Sequence, residues 1–486
     1  MAKRKRNQNL TAAAAPVEEP ISAPKKTKTV NDPKQAKPTK AGAKSSAPGS
    51  NLTIQIITGS YDRILHGITA TLPPTEAATF SDTFLFTAHT SAIRALALSP
   101  PSAPTPNQPQ KILLATGSTD SRINLYHISA HPPRKHTVPA LPGLSSRAVV
   151  ENPANRELGS LMHHAAAVTG LCFPTRGKLL SSAEDCTMAV TRTRDWSLLS
   201  SIKAPVPKAQ GRPSGDTAPV GGAPSGVNAF AVHPSLKLML SVGRGERCMR
   251  LWNLVTGKKA GVLNFSRGML GEVHEGRFGS GEGRRVAWGN TAGGEEFAVA
   301  FEWGVLVFGM DCKVRCKVLP DRRTKIHEVR YVKRDEEGEK MVLALSTEDG
   351  RIVFFSTDPA DLVAPGAKEG DDALPAAKIL AQLGGKDAGV TNRIKDFAVL
   401  PLEESGSVII VTGSSDGAVK LWRLKMADVL GGAGGLVGEM VGDYETGNRV
   451  TCLVAFVMLD LPDGASDDVL EEDEDEEEEE ESSDDE

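Results

Sequence analysis

A spaced pattern of a hydroxyl, an acid and a strand residue recurs along the chain and restricts its fold more than any other feature. Three segments carry it: ILLATGSTDSRINLY from residue 112, LLSSAEDCTMAVT from residue 179 and VIIVTGSSDGAVKLW from residue 408. In each, an Asp follows a Ser or Thr by four residues, and a further strand position follows the Asp by six. The three sets are Thr116/Asp120/Tyr126, Ser181/Asp185/Thr191 and Thr412/Asp416/Trp422.

Partial copies of the pattern occur elsewhere. Thr58 and Asp62 keep the first interval, Asp349 and Phe355 keep the second, and Ser241 and Trp252 frame a copy that is longer by one residue. A single match could arise in any hairpin, for example in a β-sandwich. Several matches, each set within three successive strand-like runs, predict a repeat architecture.

The spacing has a physical reason. An Asp in the tight turn between two antiparallel strands can accept hydrogen bonds from nearby backbone N–H groups. The Ser or Thr then lies on the strand before the turn and the aromatic residue on the strand after it. An upstream histidine, such as His89 or His164, can join them in a buried polar network that ties the strands together.

Counting the repeats predicts a closed ring of seven blades. Runs that resemble a first strand begin near residues 92, 167, 226, 285, 326, 393 and 449. The last run, RVTCLVAFVM, has no second strand after it, whereas LTIQIITGSYDRILHGI at residue 52 resembles second and third strands without a first. We expect these two ends to pair as blade 1, because closure removes the exposed edges of an open array.

The charged ends set the domain boundaries. Residues 1–50 contain eleven Lys or Arg and three acids, and residues 460–486 contain eighteen acids and no base. Neither segment has enough apolar residues to offset the entropy of ordering. The sequence therefore predicts a disordered basic tail at 1–50, a propeller at 51–459 and a disordered acidic tail at 460–486. Pro-rich insertions at 101–110 and 130–156 are expected on the face opposite the blade-to-blade links.

One stretch of the chain resembles a known family of WD40 β-propellers. It runs through SSAEDCTMAV, DW, SIKA, HPSLKLMLSVG and LWNLVTGK between His164 and Phe265. In this order it is similar to the p21-activated kinase-interacting proteins, whose fungal members are the maintenance-of-killer proteins. The resemblance extends over roughly residues 52–458. It implies an all-β, seven-bladed WD40 propeller that acts in the nucleolus during assembly of the large (60S) ribosomal subunit.

The sequence offers no catalytic or cofactor-binding constellation. It contains no Gly-x-Ser-x-Gly, Walker loop or His-Glu-x-x-His. Cys312 and Cys316 lack a companion ligand pair, so we interpret them as structural residues. We therefore expect no enzyme activity, no cofactor, no metal and no membrane contact.

A candidate partner surface lies on turns that should share one face. Trp303 occupies the turn of blade 5 where other blades place Asp, and the following link to blade 6 reads PDRRTK. The residues expected to meet there are Trp303, Arg244, Arg247, Arg322, Arg323 and Lys325. Trp and Arg dominate the energetics of many interfaces. The alternative, that Trp303 packs against its own blade, has equal weight at this stage.

These observations predict a non-enzymatic scaffold that escorts or recruits a basic ribosomal-like protein to the pre-60S particle. Contact with pre-rRNA is a further possibility, and we expect a monomer outside the particle. The alternative is a scaffold that binds and restrains a p21-activated kinase. The basic tail fits nuclear and nucleolar targeting, and its other interpretation is a solvating segment.

Overall fold

The structure is a computed structural model that describes the chain from residue 51 to residue 460 with several gaps. The described ranges are 51–73, 77–105, 108–132, 152–207, 224–276, 279–334, 340–365, 373–402, 406–432 and 434–460. The basic tail, the acidic tail apart from Asp460, and the inner part of the second insertion lie outside these ranges, so those predictions stay predictions.

Seven four-stranded antiparallel sheets make up the described part of the chain, and they correspond to the seven predicted blades. Blade 1 contains β1 (Leu52–Ser60), β2 (Ile64–Leu72), β3 (Thr79–Thr87) and the last strand of the chain, β28 (Val450–Val457). Blades 2 to 4 contain, in order, β4 (Ile93–Leu98), β5 (Lys111–Ser118), β6 (Ile123–Ser129) and β7 (Arg156–Leu161); β8 (Val168–Thr175), β9 (Lys178–Ala183), β10 (Thr187–Arg192) and β11 (Leu198–Lys203); and β12 (Val227–Val232), β13 (Leu238–Gly243), β14 (Cys248–Asn253) and β15 (Lys258–Asn264). Blades 5 to 7 contain, in order, β16 (Arg285–Thr291), β17 (Gly294–Ala300), β18 (Val305–Gly309) and β19 (Val314–Val318); β20 (Ile326–Lys333), β21 (Met341–Thr347), β22 (Arg351–Ser356) and β23 (Lys378–Gly384); and β24 (Ile394–Pro401), β25 (Ser407–Ser414), β26 (Ala418–Lys425) and β27 (Glu439–Glu445).

Helix is confined to short connections in the described residues. These are α1 (Arg267–Glu272) between blades 4 and 5, a 3₁₀ turn at Lys386–Ala388 and α2 (Met426–Gly431) within blade 7. No helix among the described residues is long and apolar enough to cross a membrane.

Burial explains why the second and third strands read as apolar runs. Every residue of β25 is buried, and β22 is buried along its whole length. Each such strand is covered on both sides by neighbouring blades, so both of its faces must be apolar or hydrogen-bonded. Phe354, Ile410 and Trp422 share one cluster between blades 6 and 7. The outer strands face solvent, as in the mostly exposed β11.

The ring closes as the sequence predicts. Strand β28 pairs with β1 in antiparallel register, from Ile54 opposite Val457 to Thr58 opposite Leu453. The first strands of all seven blades also contact one another in sequence around the ring, and β28 lies between β24 and β4. The first and last described strands thus complete a single blade, and each of the seven described sheets has four strands.

Antiparallel pairing fixes which connections share a face. The turns between second and third strands and the links between blades lie at one end of the strands, which we call the upper face. The connections between first and second strands, and between third and fourth strands, lie at the lower face. The described ends of both Pro-rich insertions are of this second kind.

Candidate functional site

The predicted polar network is present in blade 2. His89 Nε2 lies 2.8 Å from Thr116 Oγ1, and its Nδ1 lies 3.1 Å from an Asp120 oxygen. Asp120 also accepts hydrogen bonds from the backbone N–H groups of Arg122 and Thr90. Burial is the main cause that lowers the pKa of His89, although the Asp120 charge opposes it. The histidine therefore serves as a neutral link between two strands and a turn.

Blade 3 repeats this arrangement with different hydroxyls. His164 Nε2 lies 2.7 Å from Ser181 Oγ, and its Nδ1 lies 2.9 Å from Thr187 Oγ1. Asp185 accepts from the backbone N–H groups of Thr187 and Ala165 at 2.8 and 2.9 Å. In both blades the aspartate thus joins its own turn to the link that leads into the first strand.

Blades 4 and 7 use a tryptophan in place of the histidine. Trp252 Nε1 donates to Ser241 Oγ at 2.8 Å, and Trp422 Nε1 donates to Thr412 Oγ1 at 3.2 Å. Both pairs lie in the core, as the spacing predicts. Asp416 differs from the prediction, because it is exposed and accepts from Ala418 N and the Asn392 amide rather than from buried donors.

The remaining predicted aspartates act as surface clamps. Asp62 is exposed and accepts from the backbone N–H of Arg449 at 3.2 Å, so it fastens the closing strand to the first turn. Asp349 accepts from Arg351 and from the Thr347 hydroxyl. Thr58 lies opposite Leu453 in the closing pair of strands. These residues therefore stabilise the blades, and the repeat pattern that identified them describes the fold.

Four of the six predicted partner residues meet at the upper face of blade 5. Trp303 lies in the predicted turn, between β17 and β18, and is half-buried. The Arg323 guanidinium lies 4.6 Å from the centre of the indole, and Lys325 Nζ lies 5.6 Å from it. The side chain of Arg322 is 81% exposed beside them. We call these four residues the Trp303 patch.

Arg244 and Arg247 do not join this patch, which corrects the single surface predicted from the sequence. Arg244 pairs with Glu184 of blade 3 at 3.1 Å and lines the mouth of the central channel. Arg247 donates to the carbonyl groups of Ser280 and Gly279 at 2.9 and 3.1 Å. It is used to hold the long link between blades 4 and 5, whose path could not be inferred from turn positions alone.

A second aromatic–arginine pair at the upper face was missed. Tyr61 lies in the turn between β1 and β2 and is 61% exposed. The Arg449 guanidinium lies 5.6 Å from its ring. The sequence could have revealed it, because Tyr61 is next to Asp62 in the same type of turn that carries Trp303.

The cysteines other than Cys312 are arranged for packing rather than reactivity. Burial raises the pKa of Cys172 to about 11 and that of Cys316 and Cys452 to about 12, which disfavours the nucleophilic thiolate. Cys316 is buried in β19 whereas Cys312 is exposed in the preceding turn. Within the described ranges, no group of three or more His, Cys, Asp or Glu side chains is placed to hold a metal ion.

These features define a seven-bladed WD40 β-propeller, a class of repeat protein that presents interaction surfaces. The family model for the WD domain, G-beta repeat, matches residues 80–127 and 155–190. The chain is similar to a p21-activated protein kinase-interacting protein 1-like of Gallus gallus, with 25% identity over 83% of this chain and 80% of that protein. It is also 25% identical to Protein MAK11 of Saccharomyces cerevisiae, over 84% of each. Shk1 kinase-binding protein 15 of Schizosaccharomyces pombe is 26% identical over 44% of this chain and 47% of its own length. The resemblance found in the sequence is confirmed: the chain is a WD40 scaffold that is similar over most of its length to p21-activated protein kinase-interacting and MAK11 proteins.

Proposed function

We propose that this protein is a non-catalytic scaffold that acts in the nucleolus during assembly of the 60S ribosomal subunit. The observation that carries the proposal is the Trp303 patch, a half-buried indole covered by two cations on the upper face of a closed ring. An aromatic anchor with arginine beside it suits a protein partner. The ribosomal role is what the family resemblance implies, since a fold by itself does not fix function.

The charged ends suit a basic partner. The eighteen acids between residues 460 and 486 would screen a basic ribosomal-like protein before it meets RNA. The eleven cations in residues 1–50 suit nucleolar retention, where RNA is concentrated. The polar residues that resemble catalytic groups, His89 and His164 among them, are used within blades, which favours a role without catalysis.

Fractionation of cells that express the tagged full chain tests the proposal. We expect the protein to sediment with pre-60S particles, to localise to the nucleolus and to co-purify with a basic ribosomal-like protein. A chain lacking residues 1–50 should lose nucleolar retention while its thermal unfolding stays unchanged. A protein that is absent from pre-60S fractions would overturn the ribosomal role.

A kinase-binding role is the second candidate. Its support is that relatives of this chain carry the names p21-activated protein kinase-interacting protein 1-like and Shk1 kinase-binding protein 15. The same purification separates the two roles. Recovery of a p21-activated kinase from a cytosolic fraction, without ribosomal proteins, would favour the kinase.

A further inference from the structure

The second residue of the first strand occupies a special position in most blades. In six blades the strand pairing skips this residue, which leaves it as a β-bulge at the upper end of the channel. In blade 5 the strand begins at Arg285, and Arg284, the residue before it, takes the equivalent place. These positions form what we call the mouth ring: Arg94, Thr169, Asn228, Arg284, His327, Lys395 and Thr451.

The uncharged members of the mouth ring join neighbouring blades. Thr451 Oγ1 donates to the carbonyl of Ile93, and Thr169 Oγ1 donates to the carbonyl of Val227 at 2.6 Å. Asn228 Nδ2 donates to the carbonyl of Gly283 at 2.9 Å. Their polar atoms are therefore used between the blades, on the sides of the mouth formed by blades 1, 3 and 4.

The three contiguous positions in blades 5, 6 and 7 are basic and incompletely paired. Arg284 pairs with Glu302, but that carboxylate also binds Lys325. His327 Nε2 is buried without a hydrogen-bond partner in the described structure. Lys395 has no ion pair with any described residue. A buried polar atom without a partner is unusual and calls for a ligand or a water.

Electrostatics at this side of the mouth agree with the geometry. Burial, together with the charges of Lys395, Arg393, Arg285 and Arg284, lowers the pKa of His327 to about 4. Burial also lowers the pKa of Lys395, with Arg393 and Arg449 adding to the effect. Glu348 opposes this effect only in part, so the cations are incompletely compensated. Sites of this kind are typical of function.

We propose that the mouth ring in blades 5–7 binds carboxylate groups of an acidic peptide segment of a partner protein, with Arg284, His327 and Lys395 as its ligands. A polar cavity of about 370 Å³ at the mouth is lined by Arg94, Arg244, Glu282, Arg284, Arg285 and His327 among others. Lys395 is the next position of the mouth ring, in blade 7. A recess of this size admits one or two side chains, whereas an RNA backbone requires an open track of cations. The inference goes beyond the proposed function, because it holds for an acidic segment of any partner.

Binding to the purified full chain tests the site. The probes are a fluorescein-labelled peptide of glutamates and a peptide of glutamines of equal length, read by fluorescence anisotropy. We expect only the glutamate peptide to bind, and Lys395→Gln with His327→Gln to weaken it by about tenfold or more. Lys333→Gln is the matched control, because it removes an exposed lysine from the lower end of the same strand, β20.

Stability separates a binding role from a structural one. Removing the Lys395 charge relieves repulsion, so Lys395→Gln should leave the thermal midpoint unchanged or raise it while peptide binding is lost. A residue that mainly supports the fold would instead lower the midpoint. The proposal is overturned if wild type does not bind the glutamate peptide, if the variants bind it equally well, or if single-stranded RNA binds the same residues more tightly.

Discussion

The carboxylate of Asp396 in β24 accepts a hydrogen bond of 2.9 Å from the backbone N–H of Leu453 in β28, and its other oxygen pairs with Arg330 of β20 at 2.9 Å. One side chain therefore joins the first strands of blades 6, 7 and 1 across the closing seam. Asp396→Ala should lower the free energy of unfolding by about 1–3 kcal/mol, because it leaves a donor and a cation without their acceptor. Asp396→Asn retains an acceptor for Leu453 and should cost less. Urea unfolding of both variants checks this order, and equal stability of Asp396→Ala and wild type would contradict it.

Truncation tests ring closure. A chain that ends at residue 448 lacks β28, exposes the edge of β1 and uncovers Val450 and Leu453, which are both buried. We expect aggregation or loss of cooperative unfolding. Removing only residues 465–486 should leave thermal unfolding unchanged. A soluble protein that ends at 448 and unfolds cooperatively would show that closure by β28 is dispensable.

The aspartates of the repeat should differ in their effect on stability. Asp120→Ala and Asp185→Ala each remove a carboxylate that contacts a buried histidine and accepts hydrogen bonds from two backbone N–H groups. Each substitution should lower the free energy of unfolding by about 1–3 kcal/mol. Asp416→Ala should cost less than either, because Asp416 and its donors are near solvent. Chemical denaturation gives the ranking. The idea fails if Asp416→Ala proves the most damaging of the three.

The buried histidines predict a loss of stability in mild acid. The pKa values of His89 and His164 are lowered by burial, and that of His127 is lowered to about 4 by burial and nearby cations. Below about pH 6.5 the unfolded chain takes up protons at these sites while the folded chain does not, so stability present above that pH is lost as the pH falls. The free energy of unfolding should be lower at about pH 5 than at about pH 7.5, and this difference should be smaller in His127→Gln than in wild type. His274→Gln, at an exposed histidine, is the control and should change neither value.

The Trp303 patch predicts how a partner is held. Trp303→Ala should weaken particle association by about 2 kcal/mol or more if the indole is an interface anchor. Charge reversal at Arg322 and Arg323 should weaken it as well. Measuring particle association at two salt concentrations distinguishes an RNA ligand from a protein ligand, because contacts to phosphate lose affinity steeply with salt. Loss in the charge reversal alone, with strong salt dependence, favours RNA, and wild-type binding by both variants places the working surface elsewhere.

The predictions from local spacing succeeded where the physical cause is local. Ser241 and Trp252, eleven residues apart, meet because they lie on the two strands of one hairpin. Trp303 and Arg323 meet because a turn and the next link share a face. Arg247 is exposed but does not join the Trp303 patch, since it donates to carbonyl groups that lie more than thirty residues later along an irregular link.

The sequence by itself determined the blade count, the order of strands and the pairing of the two chain ends, because each depends on alternation, turn chemistry and intervals of a few residues. Only the tertiary structure decided that Arg284, His327 and Lys395 lie side by side. They belong to three different blades, and no short-range pattern relates them. Closure of the ring brings their strands together at the channel, and the bulges in β20 and β24 set the register at which His327 and Lys395 reach its mouth.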